Sequence, residues 1–438
     1  MLGGFRDSFK VPDLRKRIGI SIALLTVYRL GCYVPSPGID GRALSRFFQQ
    51  FPNTLLGLAD LFAGGALSNA TIFALGIMPY ISVSIILELL TSIIPYFEAI
   101  KRSGVEGRRK LTQLTRLGTV LLCIFQGLAI SIWLENPTHF GEFVIVPNPG
   151  WLFRITTVIT LTTGTIFLMW LGEQITEKGI GNGISLIITA SILSRMPVAF
   201  GRMAQLISAG EISFLVVILM AGLIFAVVAF AIVISESERR IPVQYAKRVV
   251  GRKVYGGQTT YLPIKLNQGG VIPLIFAISI LTFPATVMTF SANRILQTVA
   301  GFLNPSRGFG MLLYAILTVF FCYFYASIIF NPDNVSDDLK KYGGFIQGIR
   351  PGKSTAVYLE RVLNRLTLPG ALMLTGIAIF PYLIMMAYRR IPYIVASIFG
   401  GIGLLIVVSV LLETLRQIES HLLVRHYQGF IKKAKGHG

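Results

Sequence analysis

Residues 163–188 read TGTIFLMWLGEQITEKGIGNGISLII and contain the pattern that decides the fold of this chain. A long apolar run ends at the charged connector EQITEK, and a second apolar run begins within a few residues. Apolar runs of about 20 residues have the length that crosses a bilayer as a helix. The stretch therefore predicts the end of one membrane helix, a tight polar turn and the start of the next.

The composition extends this prediction to the whole chain. Its 438 residues are 53% hydrophobic and only 14% charged, with a mean hydropathy of +0.68. A soluble domain could bury part of that apolar excess in a core, but it would not arrange the excess in repeated runs of bilayer length. The composition therefore favours a membrane protein over a soluble one.

Apolar runs between charged or Pro/Gly-rich breaks predict ten membrane helices. They lie near 18–34, 71–94, 116–134, 151–171, 180–200, 212–234, 271–293, 310–330, 369–388 and 393–413. The predicted fold class is therefore an all-α polytopic membrane protein with ten transmembrane helices.

Ten helices divide naturally into two halves of five, an arrangement that suits an inverted repeat with a pathway at the junction. Residue-level similarity between the halves is not evident, so this prediction rests on helix count and topology alone. The predicted segments are an N-terminal half at 1–200, a hinge connector at 201–211, a C-terminal half at 212–415 with cytoplasmic loops at 235–266 and 331–366, and a cytoplasmic tail at 416–438.

The charge of the chain predicts its orientation. The 40 Lys and Arg residues exceed the 20 Asp and Glu residues, which leaves a net charge of +20. Of these 40 basic residues, 30 fall in the N-terminal arm, the C-terminal tail and the loops that would share one side with them. Since basic loops stay in the cytoplasm, we expect both termini there. A nucleic-acid partner is disfavoured by this distribution, with ribosomal RNA as the exception.

The stretch LLGLADLFAGGALSNA, from Leu55 to Ala70, is apolar but too short to span, and Gly64 and Gly65 interrupt it. We refer to it as the short segment. A re-entrant half-helix fits this length, and so does an interfacial helix on the outer surface. The residues alone do not separate these two interpretations.

Ionisable side chains are scarce in the predicted spans. Glu88 and Arg29 are the clear exceptions, and both lie near a predicted helix end, which favours snorkelling toward water. Coupled transporters place working charges at mid-membrane, so this scarcity argues against a secondary transporter.

An intramembrane enzyme such as a lipid transferase is the more distant rival. The sequence holds no nucleotide-binding lysine motif, no catalytic-triad spacing and no metal-ligand cluster, so we expect neither an enzyme nor a bound cofactor. The histidines and cysteines are scattered and support neither a relay nor a metal site: His139, His421, His426, His437, Cys32, Cys123 and Cys322.

Isoleucine pairs four residues apart recur in two spans. Ile81 and Ile85 lie in YISVSII, and Ile184 and Ile188 lie in GNGISLII, so each pair shares one helix face. Spacing alone favours ordinary core packing over a pore lining, and only a further observation could reverse that preference.

Several longer strings resemble the signature segments of the bacterial SecY family, in order and at family spacing. They are FALGIMPYISVSII, EGRRKLTQLTRLGT, TGTIFLMWLGEQITEKGIGNGISLII, RRIPVQYAKR, GVIPLIFA, NPDNVSDDLKKYGGFIQGIRPGKST and RLTLPGA. Together they cover most of the chain between about 60 and 375.

This resemblance implies a fold in which two pseudo-symmetric five-helix halves clasp an hourglass pore. A plug half-helix fills the outer funnel, and a ring of apolar side chains seals the waist. The implied ring consists of Ile81, Ile85, Ile184, Ile188, Ile275 and Ile406. The implied plug is the short segment, including Leu58, Asp60, Leu61, Phe62, Gly64 and Gly65.

The resemblance also implies a lateral exit into lipid, formed by the second, third, seventh and eighth helices, and a docking surface on the cytoplasmic loops. The matching gate residues are Gln126, Ser279, Thr282 and Phe283. The matching docking residues are Arg248, Arg252, Lys253, Lys340 and Arg350. Arg350 belongs to the IRPG string that the family uses for docking.

The function implied by the resemblance is a protein-conducting channel of the bacterial inner membrane. It would pass unfolded secretory polypeptides across the membrane and release transmembrane segments sideways into lipid. The implied partners are SecE and SecG in the membrane, the SecA ATPase and the ribosome in the cytoplasm, and signal peptides and nascent chains as passengers.

Overall fold

A computed structural model describes residues 11–50, 60, 62–137, 140, 143–210, 214–245, 248–250, 253–255, 259–289, 294–387, 393–397 and 400–435. Its helices are α1 (Pro12–Gly31), α2 (Gly41–Gln50), α3 (Met78–Ile93), α4 (Pro95–Arg102), α5 (Val105–Glu135), α6 (Trp151–Lys178), α7 (Gly183–Ser208), α8 (Phe214–Glu236), α9 (Ile272–Thr289), α10 (Arg294–Leu303), α11 (Gly308–Ile329), α12 (Pro332–Lys341), α13 (Lys353–Ala387), α14 (Tyr393–Ala396) and α15 (Gly401–Lys435).

Each of the ten predicted spans corresponds to one long helix: α1, α3, α5, α6, α7, α8, α9, α11, α13 and α15. Six of them are long and apolar enough to cross a bilayer on their own, and α3 with α4 forms a seventh candidate that bends by 99° at the break between them. The fold class predicted from the sequence is confirmed.

The helix boundaries differ from the predicted spans for a physical reason. An apolar window locates the part of a helix that lipid covers, whereas backbone hydrogen bonding continues into polar sequence outside it. Helix α5 therefore begins at Val105 and α13 at Lys353, well before their apolar windows. Helix α7 continues to Ser208, so most of the predicted connector at 201–211 is helical.

Side chains and prolines start several helices locally. Asn182 precedes α7, and its side-chain oxygen accepts hydrogen bonds from the amides of Ile184 and Ser185 at 3.1 and 3.2 Å. Such capping satisfies amides that have no partner inside the helix. Helix α3 starts with Pro79 in its first turn, where the missing amide proton costs nothing.

The two predicted cytoplasmic loops share one β-sheet, which the sequence did not reveal. The strands are β1 (Glu238–Tyr245), β2 (Arg248–Val250), β3 (Lys253–Tyr255), β4 (Thr259–Lys265) and β5 (Gly344–Ile346). Strand β1 pairs antiparallel with both β4 and β5 to form the shared sheet, whereas β2 and β3 pair with each other in a separate two-stranded sheet. Residues about 100 positions apart thus meet, as Val243 does with Ile346.

Close backbone contact joins α6 and α7 at the turn quoted above. Gly183 lies so near α6 that an added Cβ atom would overlap the carbonyl oxygen of Gly172. This carbonyl belongs to rigid helical backbone and cannot move aside. The glycine is therefore required by packing.

We predict that Gly183→Ala lowers the free energy of unfolding by about 1–3 kcal/mol through overpacking. The measurement is thermal or denaturant unfolding of the purified protein in detergent. Gly201→Ala on the same helix is the matched control, since a Cβ there meets no heavy atom of the described residues within 4 Å. Equal effects of the two substitutions would contradict this account of the contact.

Candidate functional site

The six isoleucines singled out in the sequence come together in one buried hydrophobic cluster. Ile81 and Ile85 come from α3, Ile184 and Ile188 from α7, Ile275 from α9 and Ile406 from α15. Four of them are 9% exposed or less, and Ile184 and Ile275 pack against the cluster while partly buried. Residues from both predicted halves of the chain therefore meet at one point.

A polar cavity of about 360 Å³ lies against this cluster. Ile188, Ile275 and Ile406 form part of its wall. Most of its other lining residues are polar or charged, including Asn182, Ser185, Glu236, Lys265, Asn267, Glu413 and Arg416. These three isoleucines thus lie between the cavity and the buried apolar cluster.

The short segment packs on the same cluster. Phe62, Ala63 and Ala66 belong to it and are 7%, 3% and 0% exposed. From Ala63 to Ala70 the backbone follows turns rather than a helix, with Gly64 and Gly65 at φ angles of 64° and 92°. This burial favours the re-entrant interpretation over a helix on the outer surface. The predicted plug residues Leu58 and Leu61 lie outside the described residues.

The buried part of the short segment is held by charged side chains. Asp60 is 4% exposed and forms an ion pair with Arg195 of α7. Arg29 of α1 donates hydrogen bonds to the carbonyl oxygen of Gly64 at 3.3 Å and to Ser194 Oγ at 2.9 Å. Arg29 thus faces the protein with Nη1, while its Nη2 donates to the exposed Tyr33 hydroxyl at 3.3 Å, so snorkelling toward water describes only part of this guanidinium. The short segment provides acceptors that this guanidinium can reach.

Glu88, the other ionisable residue predicted to snorkel, is partly buried in α3. Its carboxyl group interacts with Tyr325 of α11 and with Lys101 of α4. The lysine follows the bend between α3 and α4, so this end of α3 has a cationic neighbour that the apolar window concealed.

The predicted lateral-gate residues lie on two helices. Gln126 is partly buried in α5. Ser279 and Thr282 are buried in α9, and Thr282 Oγ1 donates to the carbonyl oxygen of Ile278 at 2.8 Å. Phe283 lies in the same helix, but its side chain is outside the described part of the structure. Helix α9 packs against α3 of the other half.

Two predicted docking residues are well described, and both are exposed. Lys340 lies in the last turn of α12, and Arg350 lies in the turn between β5 and α13. Hydrogen bonds hold this turn: Thr355 Oγ1 donates to the carbonyl oxygen of Arg350 at 3.0 Å, and Ser336 Oγ donates to that of Gly352 at 2.6 Å. The turn is therefore held in one conformation by buried hydroxyl groups.

The other three docking residues belong to the β2–β3 region. Arg248 and Lys253 lie in the paired strands, with side chains outside the described part, and Arg252 is not described. Sequence reasoning missed the sheet that joins the two loops, although Ile241 and Val243 alternate with exposed residues in the period-two pattern of a strand. It also missed Arg195, whose partner is distant in sequence.

Comparison with known proteins gives a consistent result. The SecY family matches residues 71–415 of the chain. The chain is 46% identical over 432 residues to the protein translocase subunit SecY of Escherichia coli K12, covering 97% of this chain and 96% of that protein. It is 42% identical over 445 residues to the same subunit of Thermus thermophilus, covering 100% and 99%.

Solved structures agree at the level of the fold. The structure of a protein conducting channel matches with a TM-score of 0.64 at 19% identity, covering 93% of this chain and 92% of that one. Sec61 in the canine ribosome-channel complex matches with a TM-score of 0.60 at 17% identity and the same coverage. Since the family match covers most of the chain and the identity to full-length relatives exceeds two-fifths, this chain belongs to the SecY family.

Proposed function

We propose that this chain is the pore subunit of a protein-conducting channel. One observation carries the proposal: Ile81, Ile85, Ile184, Ile188, Ile275 and Ile406, from both predicted halves of the chain, converge in one apolar cluster, and three of them border a polar cavity. The curated relatives are named protein translocase subunits, and a structural neighbour is titled a protein conducting channel. Unfolded secretory polypeptides are the passengers we assign to this pore.

The chemistry of isoleucine suits such a seal. A narrow constriction lined by aliphatic side chains excludes water, which raises the barrier to ions. The same side chains offer no hydrogen bonds to a passing chain, so they do not hold particular sequences. Contact across the junction of the halves also lets the ring open when the halves separate.

The short segment is the plug in this proposal. Its burial against the isoleucine cluster supports that role. A structural neighbour is titled for a SecY plug domain that stabilises the closed state of its channel and maintains a membrane seal. We assign lateral release of transmembrane segments to the junction of α3 and α9, near Ser279 and Thr282, where the two halves pack.

The cytoplasmic sheet is the proposed docking surface for a motor or a ribosome. It unites the loops that contain Arg350 and the β2–β3 strands, and the guanidinium fork of arginine suits RNA phosphates and acidic protein surfaces. One structural neighbour is titled as Sec61 in a ribosome-channel complex, and another as an idle Ssh1 complex bound to the ribosome. SecA and the ribosome are therefore the proposed cytoplasmic partners, with SecE and SecG as the membrane partners.

We further propose a bacterial inner-membrane location with both termini in the cytoplasm, because the basic residues concentrate on that side. The chain is proposed to act without chemistry or cofactor of its own. Among the described residues, no group of three His, Cys, Asp or Glu side chains could hold a metal ion.

We predict that Ile406→Asn makes the idle channel leak ions. Ile406 is 1% exposed and borders the polar cavity, so an amide there supplies hydrogen bonds that let water persist in the constriction. The measurement is the resting conductance of the purified complex in planar bilayers.

Ile187→Asn is the matched control for packing. Ile187 is also 1% exposed, but its side chain faces α6 near Gly172 rather than the cavity. An amide there should lower the free energy of unfolding by about 1–3 kcal/mol without creating conductance. If Ile406→Asn is present at normal levels and its resting conductance is unchanged, Ile406 is a core packing residue and not part of the seal.

We predict that Arg350→Glu reduces motor-driven export in reconstituted vesicles by about tenfold or more, since it places a like charge at an acidic docking partner. Arg361→Glu, an exposed position on α13 with the same charge change, is the control and should have little effect. Equal export by both variants at matched protein levels would contradict the docking role of Arg350.

A further inference from the structure

We infer that Arg195 and Arg29 are positioning residues that fasten the short segment in the closed channel. This inference rests on the proposed function, because it takes the short segment to be the plug. The arginines act through the short segment and belong to two helices that stay in the wall, α7 and α1. Their role is to make the seated position specific, beyond what apolar contact alone achieves.

The first step concerns the charge of Asp60. A carboxylate that is only 4% exposed needs a counter-ion, because burial of an unpaired charge is costly. Arg195 supplies it through an ion pair whose side chains are 18% and 5% exposed. The Asp60 side chain therefore has its counter-ion when the short segment lies in this position.

The second step is that Arg195 contacts the short segment at two residues, Asp60 and Ser68, which lie on either side of the glycine turn. Its Nη2 donates to Ser68 Oγ at 3.1 Å, and Ser68 Oγ donates in turn to the carbonyl oxygen of Gly65 at 3.1 Å. The amide of Ser68 also donates to Asp60 Oδ1 at 2.9 Å. Arg195, Asp60 and Ser68 thus close a ring of polar contacts around the glycine turn.

The third step concerns Arg29 of α1, which contacts the short segment at a second place. Arg29 and Ser194 both reach the carbonyl oxygen of Gly64, and Arg29 also donates to Ser194. A Cβ atom on Gly64 would approach Arg29 Nη1 to 3.2 Å, and one on Gly65 would approach Arg195 Cζ to 3.1 Å. Both glycines also adopt positive φ angles, so their lack of a side chain lets the guanidinium groups come close.

These contacts have different strengths in the two states of the channel. With the short segment seated, Asp60 and Arg195 are desolvated and paired. When the segment leaves, the outer funnel fills with water and each charge is solvated separately. Removing one partner leaves the other buried and unpaired only in the seated state, so it destabilises that state selectively.

The test measures the position of the short segment directly. Ala66→Cys, at a position with 0% exposure, reports on it in a channel whose three native cysteines are replaced by alanine. A bulky membrane-impermeant maleimide is added from the outer side to the complex in vesicles. We expect Arg195→Gln or Asp60→Asn to raise the labelling rate at least about tenfold.

The double variant that combines Arg195→Gln with Asp60→Asn tests whether these two residues act as a pair. It removes both charges, so neither remains buried without a partner, and its labelling rate should fall well below the product of the two single effects. Multiplicative effects would overturn the pairing. Arg195→Lys keeps the charge without the fork and should give an intermediate rate, which provides a milder variant where the glutamine substitution prevents folding.

Arg154→Gln separates the proposed role from general stability. It breaks a comparable ion pair with Glu135, in which Arg154 Nη2 lies 2.6 Å from Glu135 Oε2 and whose hydrogen bonds run between Arg154, Glu135 and the Gly150 amide rather than to the short segment. This variant should lower the unfolding midpoint without exposing the cysteine at 66. Equal labelling in Arg154→Gln and Arg195→Gln would overturn the inference.

The labelling assay is independent of the seal assigned to the isoleucines. If Ile406→Asn shows no added resting conductance but Arg195→Gln is labelled fast, the seal is rejected and the fastening role is retained. A leaking Ile406→Asn variant with unchanged labelling in Arg195→Gln and Asp60→Asn would reject the fastening role and retain the seal.

Discussion

Water is absent from the interior of a bilayer, so each backbone amide and carbonyl group there must find its partner within the protein. Helices meet this requirement locally, which is why ten long helices dominate the described chain. The turns from Ala63 to Ile77 meet it through neighbours: Ser36 donates to the carbonyl oxygen of Ala70 at 2.7 Å, and Ile72 donates to that of Val34 at 3.0 Å. Irregular backbone is therefore possible at this place because protein surrounds it.

The same scarcity of water governs the charged residues of the interior. Arg29 and Arg195 lie inside the helix bundle, and each has found an acceptor in the short segment. Such pairs contribute specificity more than net stability, because desolvation offsets most of the attraction between the charges. In the proposed channel, apolar packing of the isoleucines closes the passage, and the polar contacts fix where the short segment sits.

The side proposed to face the cytoplasm follows different rules because water is available there. Two loops whose paired residues lie about 100 positions apart form one sheet, which packs in a buried cluster that includes Ile241, Val243 and Ile264. Exposed basic residues can then be held in fixed positions on a rigid base. The turn at Arg350 illustrates this, since buried hydroxyl groups of Ser336 and Thr355 bond to its backbone.

The sequence by itself determined the number of membrane helices and predicted their orientation, because hydropathy over bilayer-length windows and the placement of basic residues are local properties. It also showed that the short segment could not span. Tertiary structure alone decided that the six isoleucines share one cluster, that Arg29 contacts Gly64 and that Asp60 meets Arg195. It also decided that β1 pairs with β5. These outcomes depend on contacts between residues far apart in the chain, and neither spacing nor hydropathy contains information about such contacts.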